Sequence, residues 1–273
     1  MFFPFSTWQN TSPIINSSGL IAFYKLNADI NGPSFKDSLG NYNLTPVYTP
    51  QITGGHIPFK TRGSSAIGID FAFLSTGHNF ACYTGAMNND FLVLNNKTFA
   101  FWVNLQQIPV PQGGTTYTPV FFGNASSTAG NYSIYAGSSS NTGFQAQLKT
   151  GTISLEVYPT GQIARITSSG FSANNWNFIV AWIDYYNTGI GIQVNNGTTI
   201  SGFFGHNIQN VGITGIFGST FNVGSNLITN SISGIFGIQS LSIWNRLLTD
   251  SEKSLLYNKG FGVQYPFTNP FPQ

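Results

Sequence analysis

Apolar residues recur at every second position in several short segments of the chain, which is the period of a half-buried β-strand. Ser65–Phe71 alternates in this way, and Thr98–Leu105 has the β-branched and aromatic residues typical of a core strand. Turn residues separate such segments at intervals of about 8–12 residues, as in β-sandwiches. Further strands are predicted at Gly19–Leu26, Pro119–Gly123, Tyr132–Ala136, Gly143–Leu148, Ile153–Tyr158 and Gln162–Thr167.

One hairpin is well marked in the second half of the chain. Two apolar segments, Trp176–Ile183 and Ile190–Val194, flank the polar turn Asp184–Gly189. The second segment stops at Asn195–Gly197, where the pair Asn-Gly predicts a type I′ turn because both central positions need positive φ. The following stretch, Gly202–Ser233, is rich in Gly, Phe, Ile and Asn and is predicted to be a loop with local strand alternation.

A single short helix is predicted near the C-terminus. The sequence Thr-Asp-Ser-Glu at 249–252 matches a capping box, in which Thr249 and Glu252 satisfy free N–H groups at the start of a helix. Leu256 and its neighbours supply an apolar side, and Gly260 fits the position just after the last turn. A helix of about ten residues must be stabilised by packing on the rest of the domain.

Both chain ends are predicted to be irregular arms. Residues 1–18 and 263–273 are broken by prolines and carry many aromatic residues. Such segments are suited to packing on a neighbouring molecule; packing on their own domain, or disorder, is the alternative.

Composition excludes several classes of function. Only 7% of the residues are charged, against 15% aromatic, and the net charge is +2 without a basic cluster. Nucleic-acid binding is therefore not expected. No apolar stretch is long enough for a membrane span. The apolar start Met1–Ser6 lacks the positive region of a secretory signal. Either a signal has been removed or the protein is not exported by that route, and the initiator Met favours the second alternative.

Several segments together resemble laminin-G-like domains of the concanavalin A-like jelly-roll family. The resembling segments are Gly19–Leu26 with Asp37–Thr45, Thr98–Val103, Trp176–Trp182 and the final strand and helix from Gly237 to Gly260. The resemblance implies an all-β, antiparallel two-sheet jelly-roll β-sandwich over residues 19–262, with one short C-terminal helix. It also implies a non-catalytic recognition or adhesion module, of a kind frequent on phage and other virion surfaces.

Catalytic chemistry is not expected. Glycoside hydrolysis needs two carboxylates about 5–10 Å apart, and the hydrolytic relatives carry several on one strand. This chain has Glu156 without a second carboxylate two or four residues along, and Glu252 is assigned to the helix cap. The chain is therefore predicted not to be an enzyme.

A calcium site is the alternative interpretation of one turn. Asp37, Asn41 and Asn43 offer the oxygen ligands that Ca²⁺ prefers, although the same residues form good turns. In relatives a structural calcium often uses an Asp just before the final strand, where this chain has Gln239.

Ligand binding by stacking needs exposed aromatic side chains. The strand tryptophans are predicted to be core residues: Trp102, Trp182 and Trp244. Loop tyrosines are the candidate ligand-binding residues: Tyr48, Tyr117, Tyr185 and Tyr186.

Two functions remain open. The first is a structural protein of a virion surface that assembles through its arms as a homo-oligomer or with other virion proteins. The second is a secreted lectin or adhesin module whose partner is a glycan. The expected location is correspondingly a virion surface or the extracellular space.

Overall fold

The computed structural model describes seventeen segments of the chain. They are residues 15–26, 28–29, 32–33, 35–46, 51–56, 67–70, 81–83, 96–107, 120–123, 131–136, 153–158, 164–172, 175–203, 221–223, 235–260, 262–263 and 265–267. The predicted strand Gly143–Leu148 lies outside them.

Nearly all regular structure in these segments is β. The strands are β1 Leu20–Tyr24, β2 Ala28–Asp29, β3 Gly32–Pro33, β4 Thr45–Pro46, β5 Gln51–His56, β6 Ile67–Asp70, β7 Ala81–Tyr83, β8 Lys97–Gln107, β9 Val120–Gly123, β10 Asn131–Ala136, β11 Ile153–Tyr158, β12 Ala164–Ser168, β13 Trp176–Asp184, β14 Gly189–Val194, β15 Ile200–Phe203, β16 Phe221–Val223 and β17 Ile235–Trp244. Helix α1 is Asp250–Tyr257, followed by a 3₁₀ turn at Asn258–Gly260.

The strands form two large antiparallel sheets, and β2 and β3 pair separately with each other. The larger sheet has the order β15-β14-β13-β8-β17-β6-β5, and β1 pairs with the second half of β17. The other sheet has the order β12-β11-β10-β9-β16-β7-β4. The predicted all-β sandwich with one short C-terminal helix is confirmed.

Apolar side chains fill the space between the two sheets. Phe99, Phe101 and Ile179 come from the larger sheet, and Leu155 and Phe221 come from the other; all five are buried in one cluster. Alternation places every second residue of a strand on this inner face. The inner cluster is therefore the core of the sandwich.

A second core lies on the outer face of the larger sheet. Alternate residues of β8 and β13, such as Trp102 and Phe178, pack there against α1 and the C-terminal segment. A strand buried on both faces has no polar alternation, which explains why Trp176–Ile183 is apolar almost throughout. Trp102 and Trp244 are core residues as predicted, whereas Trp182 is only partly buried.

The described parts of both arms belong to this outer core. Ile15 is buried in it, and so are Val263 and Phe267. The Phe267 ring stacks on Trp244, with 5.5 Å between ring centroids, and meets Phe23 edge-on at 5.6 Å. Of the alternatives for the arms, packing on their own domain is therefore what these residues do.

Helix α1 begins as its sequence predicts and ends earlier. The Thr249 hydroxyl accepts from the Glu252 N–H, and the Glu252 carboxylate accepts from the Thr249 N–H, so the capping box is complete. The helix is capped at its end by Asn258, a left-handed residue two positions before the predicted Gly260. Asn tolerates a φ of 47° because its short polar side chain can form local hydrogen bonds. The helix has eight residues. Among the described residues, no helix is long and apolar enough to cross a membrane.

Arg246 ties the helix to the start of the domain. Its guanidinium donates to both carboxylate oxygens of Glu252, at 2.7 and 2.8 Å, and to the backbone oxygens of Asn16 and Ser18. The same group lies 5.1 Å over the Trp244 ring. Sequence reasoning assigned Glu252 to the cap alone and missed this ion pair.

The Arg246 ion pair makes stability depend on pH. Hydrogen bonds from Arg246 hold the pKa of Glu252 below its ordinary value of 4.5, despite the opposing effect of burial. The ionised carboxylate therefore stabilises the fold fully above pH 4.5, and this contribution is lost as the pH falls through the lowered pKa.

We expect Glu252→Gln to lower the free energy of unfolding at pH 7 by about 1.5 kcal/mol. The difference in unfolding free energy between the variant and the wild type should decrease as the pH falls below 4.5. Chemical denaturation at a series of pH values measures this difference. A gap that stays constant down to pH 2.5 would contradict this assignment.

Candidate functional site

The turn between β13 and β14 carries two of the predicted aromatic residues. Tyr185 is partly buried against the inner core, and its N–H donates to the Asn96 side chain at 2.9 Å. Tyr186 is 60% exposed and meets Tyr185 edge-on, with 5.4 Å between ring centroids. The Tyr186 ring is therefore exposed to solvent and rests against the Tyr185 ring. Tyr185 itself packs on the core.

Strand β15 brings a further aromatic residue to the same end of the sheet. The chain reverses at Asn195 and Asn196, which both have φ near +50°, and the Gly197 N–H donates to the Val194 carbonyl oxygen. The predicted type I′ turn thus has Asn-Asn rather than Asn-Gly at its centre. The chain then pairs back as β15, so the local strand alternation predicted from Gly202 onwards belongs to a strand that already begins at Ile200.

Phe203 and Asp184 face each other across a glycine on the outer face of the larger sheet. Gly189 pairs with Asp184 on one side and with Phe203 on the other. A Cβ at Gly189 would lie 3.4 Å from the Asp184 Cβ, so the two residues share a face. A Cβ at Gly202 would lie against Ile166 of the opposite sheet, so its neighbour Phe203 points outwards.

We call this group the edge site: Asp184, Tyr186, Asn187, Gly189 and Phe203. Its two walls, Asp184 and Phe203, are two strand spacings apart, roughly 9.5 Å, and the residue between them has no side chain. Phe203 is 81% exposed, the largest value among the exposed apolar residues that the structure describes. The result is a shallow gap with an aromatic wall and a carboxylate wall.

The polar wall is held by the turn itself. The Asp184 carboxylate accepts from the Asn187 N–H at 3.2 Å and from its side-chain amide at 2.9 Å. These bonds leave further lone pairs on the carboxylate. The Asn187 side-chain oxygen is a second exposed acceptor beside it. The wall therefore offers several acceptors in fixed positions.

The next row of the sheet is closed. A Cβ at Gly191 would lie 2.0 Å from the Trp182 ring, so the indole lies flat over this glycine. The ammonium of Lys253 covers the ring at 4.0 Å and pairs with Asp250 at 3.0 Å. Because the Trp182 ring covers Gly191, two residues along β14, the space above Gly189 ends at this ring.

This arrangement can hold a flat, hydroxyl-bearing ligand by stacking and hydrogen bonding. An exposed aromatic face accepts the apolar face of a flat ligand, and carboxylate and amide oxygens accept hydrogen bonds from hydroxyl groups. Within the described parts of the chain, no group of three His, Cys, Asp or Glu residues is placed to hold a metal ion. Two of the predicted ligand-binding tyrosines, Tyr48 and Tyr117, lie outside the described residues.

The turn predicted as an alternative calcium site is held by hydrogen bonds. Asp37 is 4% exposed, and its carboxylate accepts from the backbone N–H groups of Phe23, Leu39, Asn41 and Tyr42 at 2.9–3.2 Å. The Asn43 side-chain oxygen accepts from the Asp37 N–H. These bonds account for the turn without a cation, and the calcium site stays an untested prediction.

Sequence reasoning missed Asp184, Gly189 and Phe203 as site residues. Asp184 and Gly189 were assigned only to a turn, and Phe203 to a loop. The available signal was the apolar pair Ile200 and Phe203 directly after a tight turn, which marks a third strand beside β14.

No family model and no curated protein matches the sequence, so the resemblance to laminin-G-like domains stays a prediction. Solved structures do match the fold. The binding domain of Paraclostridial Mosquitocidal Protein 1 aligns with a TM-score of 0.58 and 16% identity, over 89% of this chain and 52% of that chain.

Two toxin domains are similar in the same way. The receptor-binding domain of botulinum neurotoxin D aligns with a TM-score of 0.58 and 12% identity, over 89% of this chain and 53% of that chain. The serotype D ligand-binding domain in complex with N-acetylneuraminic acid aligns at 0.58 and 11%, over 89% and 51%. The chain thus spans about half the length of each structure, and at these identities the likeness shows an all-β sandwich similar to toxin binding domains.

Proposed function

We propose that the chain is a non-enzymatic, extracellular recognition module that binds carbohydrate at the edge site. The observation that carries this proposal is the gap at Gly189, walled by the exposed Phe203 ring and the Asp184 carboxylate. Isolated exposed apolar residues need no explanation, but here an aromatic ring and fixed polar acceptors converge on one gap.

The fold neighbours support recognition rather than catalysis. All three are named as binding domains, and one is named in complex with a sialic acid. The capping carboxylate Glu252 is engaged with Arg246 and Thr249 and is not available as an acid or a base.

The virion-surface hypothesis has no comparable observation in its favour. It rested in part on arms that bind neighbours, and the described parts of both arms pack on their own sheet. Homo-oligomerisation stays a prediction, to be measured by sedimentation.

A glycan array followed by calorimetry tests the proposal. We expect Phe203→Ala to weaken binding of the best glycan at least tenfold, because a central aromatic contact commonly contributes 2 kcal/mol or more, roughly thirtyfold. Leu255→Ala, which removes another exposed apolar side chain, is the matched control and should bind like the wild type. Equal binding by all three proteins would contradict the proposal.

Filling the gap is an independent test. Gly189 has ordinary extended geometry, and an added Cβ meets other atoms only at 3.4 Å and beyond. Gly189→Val should therefore keep the wild-type melting temperature and lose glycan binding at least tenfold, since its side chain occupies the ligand's place. A folded Gly189→Val variant that binds normally would place the ligand elsewhere.

A further inference from the structure

The edge site carries a negative charge that no cation neutralises among the described residues. Two ion pairs are present among the described residues, Arg246 with Glu252 and Lys253 with Asp250, and neither includes Asp184. Asp184 receives only the neutral amide groups of Asn187. A ligand at Gly189 therefore meets a carboxylate that forms no ion pair with a described residue.

The cation that covers the Trp182 ring is held away from Asp184 by its own partners. Lys253 is nearly buried, with 8% of its side chain exposed. Its ammonium is held between the Trp182 ring and the Asp250 carboxylate. Moving it to a ligand at Gly189 would break both interactions, so Lys253 does not offset the charge of Asp184.

We infer that the edge site selects uncharged pyranosides and rejects sugars that carry a carboxylate. This inference rests on the proposed function and specifies its ligand class. An uncharged sugar can lay its apolar face on Phe203 and donate hydroxyl protons to Asp184 and Asn187. A sugar carboxylate in the same gap meets a like charge about one contact distance away, which weakens binding about fivefold even in water.

The inferred selectivity is opposite to that suggested by the sialic acid complex of the neurotoxin neighbour. That ligand is an anion, and hydrogen-bonded recognition of a carboxylate usually relies on Arg or Lys. The walls of the edge site carry neither residue type. We therefore expect the edge site to prefer a ligand of different charge from the one bound in that complex.

The test uses oligosaccharides in pairs that share one backbone and differ by a carboxylate, such as lactose and sialyllactose, or cello-oligosaccharides and their uronic acid counterparts. We expect the wild-type protein to bind the neutral member of a pair at least fivefold more tightly at 20 mM salt. This ratio should shrink at 500 mM salt because ions screen the repulsion.

The variant Asp184→Asn tests whether the Asp184 carboxylate causes the preference for the neutral sugar. The variant keeps the shape of the wall and removes its charge, so the preference for the neutral sugar should fall at least fivefold. Lys36→Gln changes the net charge by one unit at an exposed residue outside the edge site and should keep the wild-type ratio.

The possible failures are distinguishable. Tighter binding of the acidic sugar, or a ratio that Asp184→Asn leaves unchanged, would overturn the inferred selectivity while the proposed function stands. Binding of no member of the panel would overturn both.

Discussion

Replacing Phe267 by Ala should lower the free energy of unfolding by about 4 kcal/mol, the range found when a buried Phe is truncated. The ring is fully buried and contacts Phe23, Tyr265 and Trp244. Its loss leaves a cavity between the outer face of the larger sheet and the C-terminal segment. The melting temperature should fall by roughly 8–16 °C for a domain of this size.

The matched control is Phe203→Ala. It removes the same atoms from a ring that is 81% exposed, so the unfolding free energy should change by less than about 0.5 kcal/mol. Equal destabilisation by the two variants would mean that the C-terminal segment does not form part of the folded core.

The second large effect is expected at Asp37. In Asp37→Asn one carboxylate oxygen becomes an NH₂ group, and two of the four backbone N–H donors lose their acceptor. Each unsatisfied buried donor costs about 1–3 kcal/mol, so the free energy of unfolding should fall by about 3 kcal/mol. Denaturant titration measures this change.

Asp250→Asn is the control for Asp37→Asn. The Asp250 side chain is 92% exposed, and the same substitution there should cost about 0.5 kcal/mol. A chelator separates this hydrogen-bonded turn from a calcium site: a lower melting temperature of the wild type in EDTA would support the calcium prediction. A cost at Asp37 no larger than at Asp250 would contradict the structural role assigned to it.

Local patterns predicted helix α1 and most of the longer strands, whereas β5 and β15 were not predicted. The capping box from Thr249 to Glu252 needs only residues within one turn, and strand alternation needs only neighbours. The two-face burial of β13 was not predicted, although Trp176–Ile183 is apolar at every position except Asn177.

The candidate site depends on pairing between strands, which local patterns do not contain. Asp184 and Phe203 are nineteen positions apart in the sequence and meet only because β14 pairs with both β13 and β15. The register places Gly189 between them, and a shift of one residue would put Phe203 on the inner face. Tyr186 was predicted as an exposed aromatic because it lies within a turn, whereas β15 itself was not predicted.

The structure of the complex with the best neutral glycan tests the central claim most directly. We expect one pyranose ring over Gly189, its apolar face on the Phe203 ring and its hydroxyl groups within hydrogen-bond distance of Asp184 and Asn187. A sugar bound away from the β13, β14 and β15 edge, with the gap at Gly189 empty, would contradict this account.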